Sequence, residues 1–350
     1  MLAAACGSSS PEATPAATSI ATVSASAGAS TPLAAASTGP SASLSTSPAV
    51  ASAQGDAGAV GTNPATWPLY RRPDTQAAQW VAAHRSDGRA AAISSAIVSR
   101  PSAVWLTQPD ASASARAADR TVTAAVAAKA VPVLVLYALP NRDCGGASAG
   151  GTRTASAYRS WVKAVAASLK RRPVIVVVEP DSLALQTCLS GTALKERNAL
   201  VSYAASTLRA ADPSALIYLD AGHSNWNPPA EAAKRLRAAG LQYANGFFTN
   251  VSNYRTTTAE VAFGAAVRKA LGSAGTGKNQ VVDTSRNGNG PRGSEWCDPP
   301  GRKVGTAPAR RPRAGVDAYL WVKLPGEADG CRGSAGQFVP DLAHALAVGR

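Results

Sequence analysis

An α/β fold with a parallel sheet or barrel is predicted by three features of the 350-residue sequence. Val174 to Val178 are five consecutive β-branched residues without a polar break. Such a run lacks the alternation of a half-wet strand and reads as a strand buried on both faces. Short apolar segments of this kind recur along the chain with helical stretches between most of them, the alternation that builds parallel sheets through right-handed crossovers. Nearly every segment then runs into polar and acidic residues, which gathers the chemistry on one rim, the place where βα folds carry their sites.

In chain order, residues 1–66 come first and are set apart by composition. Residues 7–66 are dominated by Ala, Ser, Thr, Gly and Pro, with Glu12 and Asp56 as the only charges and no aromatic before Trp67. A segment so poor in large apolar side chains does not offset its ordering entropy, so residues 1–66 are expected to be a disordered tether and 67–350 the folded domain. The start, MLAAACGSSS, resembles the end of a bacterial lipoprotein signal, with Cys6 as the candidate lipidated residue. No stretch has the 18 apolar residues of a membrane-spanning helix, so any membrane attachment runs through Cys6.

The folded part offers seven β segments: 103–106, 131–139, 174–178, 215–219, 244–249, 280–282 and 318–322. Before the third, Tyr158, Trp161, Val165 and Leu169 fall on one face of a helix. Between the fifth and sixth, Thr257 to Glu260 reads as a capping box opening a helix that continues through Phe263, Val267 and Leu271. The rim residues follow: NRDC with Asp143, EPD with Asp181, DAGHSNW with Asp220, NVSNY, DTSRNGNG with Asp283, and KLPGEADGC.

Charge and cysteine content narrow the chemistry. Thirty-five Lys and Arg against 21 Asp and Glu give a net charge of +14. The arginines are scattered rather than clustered among aromatics, so a solvated basic surface is expected, without nucleic acid as partner. Cys144, Cys188, Cys297 and Cys331 lack CxxC spacing and only three His are present, which favours disulfides in an exported protein over zinc. One rim histidine, His223, does not complete a metal site with the aspartates, and no cofactor is expected. Carboxylates flanked by tryptophans suit sugars, because indole faces stack on pyranose rings while one acid protonates the glycosidic oxygen. Trp105, Trp226 and Trp296 adjoin rim segments; Trp161 belongs to the core face of its helix. Asp283 reads as the acceptor of a strand-end turn.

The stretches VLYALPNRDCGGASAGG (135–151) and VVEPDSL (177–183) resemble the two signatures of glycoside hydrolase family 6, the cellulases. DAGHSNW, NVSNYR, DTSRNGNGP, EWCDPPGR and KLPGEADGC follow in family order. The resemblance implies a distorted seven-stranded parallel β/α barrel, action outside the cell on β-1,4-glucan by a monomer, and inversion at the anomeric carbon. It makes Asp181 the general acid, Asp143 the neighbour whose charge raises its pKa, Asp329 the base acting on water, and Tyr137 the residue beneath the distorted sugar. Arg142, Asp220, His223, Asn253, Lys323 and Glu327 become substrate or supporting contacts, and Trp105, Trp226 and Trp296 stacking platforms. It pairs Cys144 with Cys188 and Cys297 with Cys331, pinning the loops of Asp143 and Asp329.

Many family members carry a serine six residues after the Asp143 position; here Ala149 stands there, preceded by Ser148. Either the loop shifts register so that Ser148 serves, or the proton route is weakened. The segments joining the motifs are short, whereas chain-end cellobiohydrolases of the family roof their tunnel with long loops. Cleavage of internal bonds in an open cleft is therefore expected. A cellobiohydrolase, and a surface-anchored glucan-binding protein with weak or lost hydrolysis, are the alternatives.

Overall fold

The structure, a computed structural model, describes residues 67–350; the tether predicted over 1–66 and the candidate lipidated Cys6 lie outside the described residues. Eight strands form one curled sheet: β1 (Val104–Leu106), β2 (Val133–Leu136), β3 (Ile175–Val178), β4 (Leu216–Asp220), β5 (Gly246–Thr249), β6 (Asn279–Asp283), β7 (Ala309–Arg313) and β8 (Val316–Leu320). Their order is β1-β2-β3-β4-β5-β6-β8-β7. The seven strands anticipated from sequence are all present and all parallel; β7, paired antiparallel with β8, is the addition. Its sequence, ARRPR, hides it, because three arginines and a proline are the marks of a protected edge and not of a core strand.

Helices α1 (Gln76–Ala83), α2 (Ala90–Ile93), α3 (Ala111–Ala127), α4 (Ala155–Ser168), α5 (Gly191–Ala211), α6 (Pro229–Ala238), α7 (Thr257–Leu271) and α8 (Pro340–Val348) complete the fold. The side-chain period of two divides each strand between two cores. Val133, Val135, Ile175 and Val177 point into the barrel with Tyr218, Phe248 and Val281. Leu134, Leu136, Val176 and Val178 face outward against Tyr158, Trp161 and Val165 of α4 and Leu200 and Val201 of α5. Both sides are dry, which is why the third segment does not alternate. The two ends of the curl are joined by no ladder among the described strands: the Ala103 N–H donates to the Trp321 carbonyl at 3.0 Å and the Trp105 indole N–H to the Val322 carbonyl at 2.8 Å, so the barrel stays open between β1 and β8.

One cap is corrected. α7 is capped by Thr256, whose hydroxyl accepts the Ala259 N–H, and the box predicted on Thr257 does not form. Glu260, the box's other half, is buried and accepts the Ser224 N–H at 2.8 Å instead, tying α7 to the loop after β4.

Candidate active site

The C-terminal ends of the strands feed a cleft of about 1240 Å3. Trp105, Tyr137, Arg142, Asp143, Asp181, His223, Trp226, Asn253, Trp296, Lys323, Glu327 and Asp329 all line it. Of the residues predicted for the site, only Asp220 does not reach the wall.

The reason is that the rim carboxylates divide into two kinds. Glu179, Asp220, Asp283 and Asp298 are buried and spend their oxygens on backbone N–H groups of the loops beside them. Glu179 accepts from Ala138 and Leu139 and from the Tyr158 hydroxyl. Asp220 accepts from Leu183 at 2.9 Å, Ala184 at 2.7 Å and Gly222 at 2.9 Å, and so holds the turn that follows Asp181. Asp283 accepts from Ser285, the turn bond expected of it, and also from Val322 and Lys323 of the loop after β8. Asp298 accepts from Asp329, Cys331 and Arg332. These four are the splints of the rim, since loop N–H groups left without partners would each cost free energy.

Asp181 is of the other kind. It keeps part of its surface on the cleft, and among the described residues no protein group donates a hydrogen bond to its carboxyl. Burial, then the negative charges of Asp220, Asp143 and Asp329, push that carboxyl well above the usual carboxylate range. Burial pushes the Asp220 carboxyl up as well, but the N–H groups of Ala184, Gly222 and Leu183 work against that and favour its ionised form, whereas Asp181 has no such donors. Asp143 raises the Asp181 carboxyl as the resemblance implies, and Asp220 acts on it as well, ahead of Asp143.

The loop after β2 is folded upon itself. Its backbone turns tightly because Gly151, at φ +93°, passes over the Leu139 carbonyl, where a Cβ would lie 1.9 Å from the oxygen. Arg142 donates through Nε to the Ser148 carbonyl at 2.7 Å, and its guanidinium sits 4.4 Å from the centre of the Tyr137 ring. Arg142 therefore lines the cleft while its hydrogen bonds go to carbonyls of its own loop and to that of Thr107, just after β1. Ser148 Oγ donates to Asp143 Oδ2 at 2.9 Å and lies 2.7 Å from the Tyr137 hydroxyl, and the Ser148 N–H meets the same Asp143 oxygen. Ser148, not position 149, is the serine of this loop.

Asp329, also on the cleft wall, sits in a cage. Arg286, with no exposed side-chain surface, donates to it at 2.8 Å; Lys323 Nζ lies 3.1 Å away; the Tyr254 hydroxyl donates at 3.3 Å. Burial pushes the Asp329 carboxyl up, but the two cations overcome it and hold the group below the usual range. Lys323 is itself pushed down by burial. Arg286 and Tyr254 carry no sequence signal of their own, although both lie inside quoted motifs, DTSRNGNGP and NVSNYR; their role exists only once three loops meet.

The aromatic walls differ in fixity. Trp105 is anchored by Nε1 donating to the Val322 carbonyl at 2.8 Å and by an edge contact with Tyr137. Trp226 packs on His223, which burial, then the charge of Arg255, lower to about 4, so it is neutral at pH 7. Trp296 is 53% exposed on the rim. Asn253 lines the wall and donates to the Val251 carbonyl. At one end Gln76, from the first turn of α1, donates to Glu327 at 2.7 Å, and burial pushes the Glu327 carboxyl up. Gln76, with Arg72 and Asp74 beside it on the wall, carries no sequence signal that marks it for the site. Cys144 is bonded to Cys188 and Cys297 to Cys331, joining the Asp143 loop to the Asp181 loop and the Trp296 loop to the Asp329 loop. Among the described residues no three His, Cys, Asp or Glu converge as metal ligands.

Residues 64–346 match the family model described as Glycosyl hydrolases family 6. The chain belongs to that family. Its family 6 domain is 47% identical to Endoglucanase 1 of Streptomyces sp. (strain KSM-9) over 273 residues, covering 77% of this chain and 75% of that protein. It is 44% identical to Endoglucanase A of Thermobispora bispora over 284 residues, covering 80% of this chain but only 62% of the relative's length. Among solved structures it is similar to the endoglucanase Cel6 of Mycobacterium tuberculosis, in complex with methyl-cellobiosyl-4-deoxy-4-thio-β-D-cellobioside. That likeness has a TM-score of 0.76 at 39% identity and covers 83% of this chain and all of that one. The curled, mostly parallel sheet described above is the fold that the family 6 relationship implies.

Proposed function

We propose that the chain is an inverting endo-β-1,4-glucanase in which Asp181 is the general acid. The observation that carries this reading is Asp181 itself. It is a carboxyl held protonated by burial and by neighbouring charges, facing a long cleft walled by indoles, with an ionised carboxylate, Asp329, also on the cleft wall. Asp181 gives its proton to the glycosidic oxygen as the C1–O bond breaks, and a water forms the new bond to C1 from the opposite face. Asp329 takes that water's proton and passes it to bulk solvent; its two cation partners make it a weak base that is ionised whenever a water arrives. Tyr137, fixed through Ser148, lies beneath the sugar at the point of cleavage.

Cleavage of internal bonds is supported by the groove, whose rim tryptophan stays half in solvent, and by the endoglucanase names of the relatives. The test is viscometry of a soluble cellulose ether beside a reducing-sugar assay. Endo action predicts that viscosity collapses while few ends have appeared; a slow viscosity fall in step with end release favours a cellobiohydrolase. Two disulfides suit an oxidising compartment. In this reading the enzyme acts outside the cell as a monomer on β-1,4-glucan, with residues 1–66 as its tether and Cys6 as its lipid attachment.

Ser148 carries a separate expectation. Removing its hydroxyl takes a hydrogen bond from the Asp143 carboxylate and frees Tyr137. Bonds to charged groups contribute about 1.5–3 kcal/mol, so Ser148→Ala is expected to lower kcat on cellohexaose at least about tenfold with little change in KM. Ala149→Ser added to it is not expected to restore the rate. Steady-state kinetics of the single and double variants decide the matter.

A further inference from the structure

The loops of Asp143 and Asp181 hold an unusual amount of backbone strain. Asn141, Asp143 and Cys144 on one, and Glu179 and Asp181 on the other, all have φ between +47° and +68°. Residues other than glycine persist there only where the surroundings over-determine them. Behind both loops lies Arg197 of α5, buried at 5% exposure, which feels the charge of Glu179 but forms no ion pair among the described residues. A buried cation is costly unless its donors are used. Arg197 turns its fork on the main chain: Nη2 donates to the Asn141 carbonyl at 2.9 Å and lies 3.4 Å from that of Pro140, and Nη1 lies 3.4 Å from the Ser182 carbonyl. One guanidinium therefore grips the peptides just before Asp143 and just after Asp181. Arg197, Asp143 and Asp181 also line a small cavity of about 10 Å3, at the lower limit of the room one water needs. Ser182 Oγ, also on its wall, has no protein partner.

From this geometry we propose that Arg197 is a positioning residue for hydrolysis: its guanidinium clamps the two catalytic loops together from behind and so sets the aim of the Asp181 carboxyl at the glycosidic oxygen. The inference rests on Asp181 being the general acid. It acts through geometry, so its loss should fall on the step that needs the proton and spare binding.

The test compares full-length parent, Arg197→Met and Arg197→Lys on two substrates, cellohexaose and 2,4-dinitrophenyl β-cellotrioside, whose leaving group departs without protonation. Misplacing a reacting group by about 1 Å costs about 10²-fold, so Arg197→Met is expected to lose about 10²-fold in kcat on cellohexaose with KM little changed, and about threefold or less on the aryl substrate. Arg197→Lys, whose ammonium reaches only one loop, is expected to lose about tenfold on cellohexaose alone, and it carries the test if the Met variant does not fold. Equal losses on both substrates, a rise in KM at unchanged kcat, or no loss overturns the proposal while leaving the glucanase reading intact. A parent inactive on both substrates overturns the two together.

Discussion

Asp181→Asn is expected to lose at least about 10³-fold in turnover of cellooligosaccharides and, at the same time, to melt at a higher temperature than the parent at pH 7. The first half follows from the role: a positioned acid contributes about 10²–10⁴-fold, most where the leaving group is a sugar alkoxide. The second follows from the environment that prepares it. The folded protein holds the Asp181 proton more tightly than the unfolded chain does, because burial and the charges of Asp220, Asp143 and Asp329 oppose ionisation. Stability attached to this group is therefore complete below the unfolded carboxylate value and is lost as pH rises through the raised folded one. Asparagine never ionises and escapes that loss, so the stability gap should close at pH about 3, under the unfolded aspartate value. In the parent, activity should fall on the alkaline side as Asp181 gives up its proton. Melting curves at pH 3 and pH 7, beside kinetics on cellohexaose, check both halves; a variant less stable at pH 7 and still active would contradict the account of this carboxyl.

The other large effect is expected on stability. Arg286→Met leaves Asp329 buried with Lys323 as its only cation and removes the donor to the Ser252 carbonyl. Breaking a buried ion pair from one side costs about 3–5 kcal/mol, since the surviving charge keeps its desolvation penalty without its partner. The Asp329 carboxyl is held below the usual range, so the stability it contributes is present above the unfolded carboxylate value and is lost as pH falls through the folded one. The difference between Arg286→Met and the parent should accordingly shrink in acid. Urea denaturation at pH 7 and pH 3 measures it; a loss under about 1 kcal/mol at pH 7 would mean that the Asp329 cage is not the strut it resembles.

How much of this was legible beforehand differs by kind of residue. The strand at Ile175–Val178 announces itself because burial on both faces leaves only β-branched side chains. β7 does not, because an edge strand is protected by the same arginines and proline that make it read as a loop. Thr256, Thr257 and Thr258 offer three equivalent hydroxyls in a row, so the helix is visible in the sequence while its cap is uncertain by one residue. Asp220 and Asp181 look alike as letters, each at the C-terminal end of a strand segment or just past it; what separates them is which one meets the N–H groups of Leu183, Ala184 and Gly222, and that is a property of loops packed together. The cage of Asp329 is illegible for the same reason, drawing Arg286, Lys323 and Tyr254 from three different rim loops.

The central claim, direct displacement by water with Asp181 as acid, is tested most directly by the anomer of the first sugar released. Proton NMR of early cellotetraose cleavage, read before mutarotation, is predicted to show the new reducing end as the α-anomer. The β-anomer appearing first would contradict the account, since it requires a carboxylate attacking the sugar where this site is argued to place water.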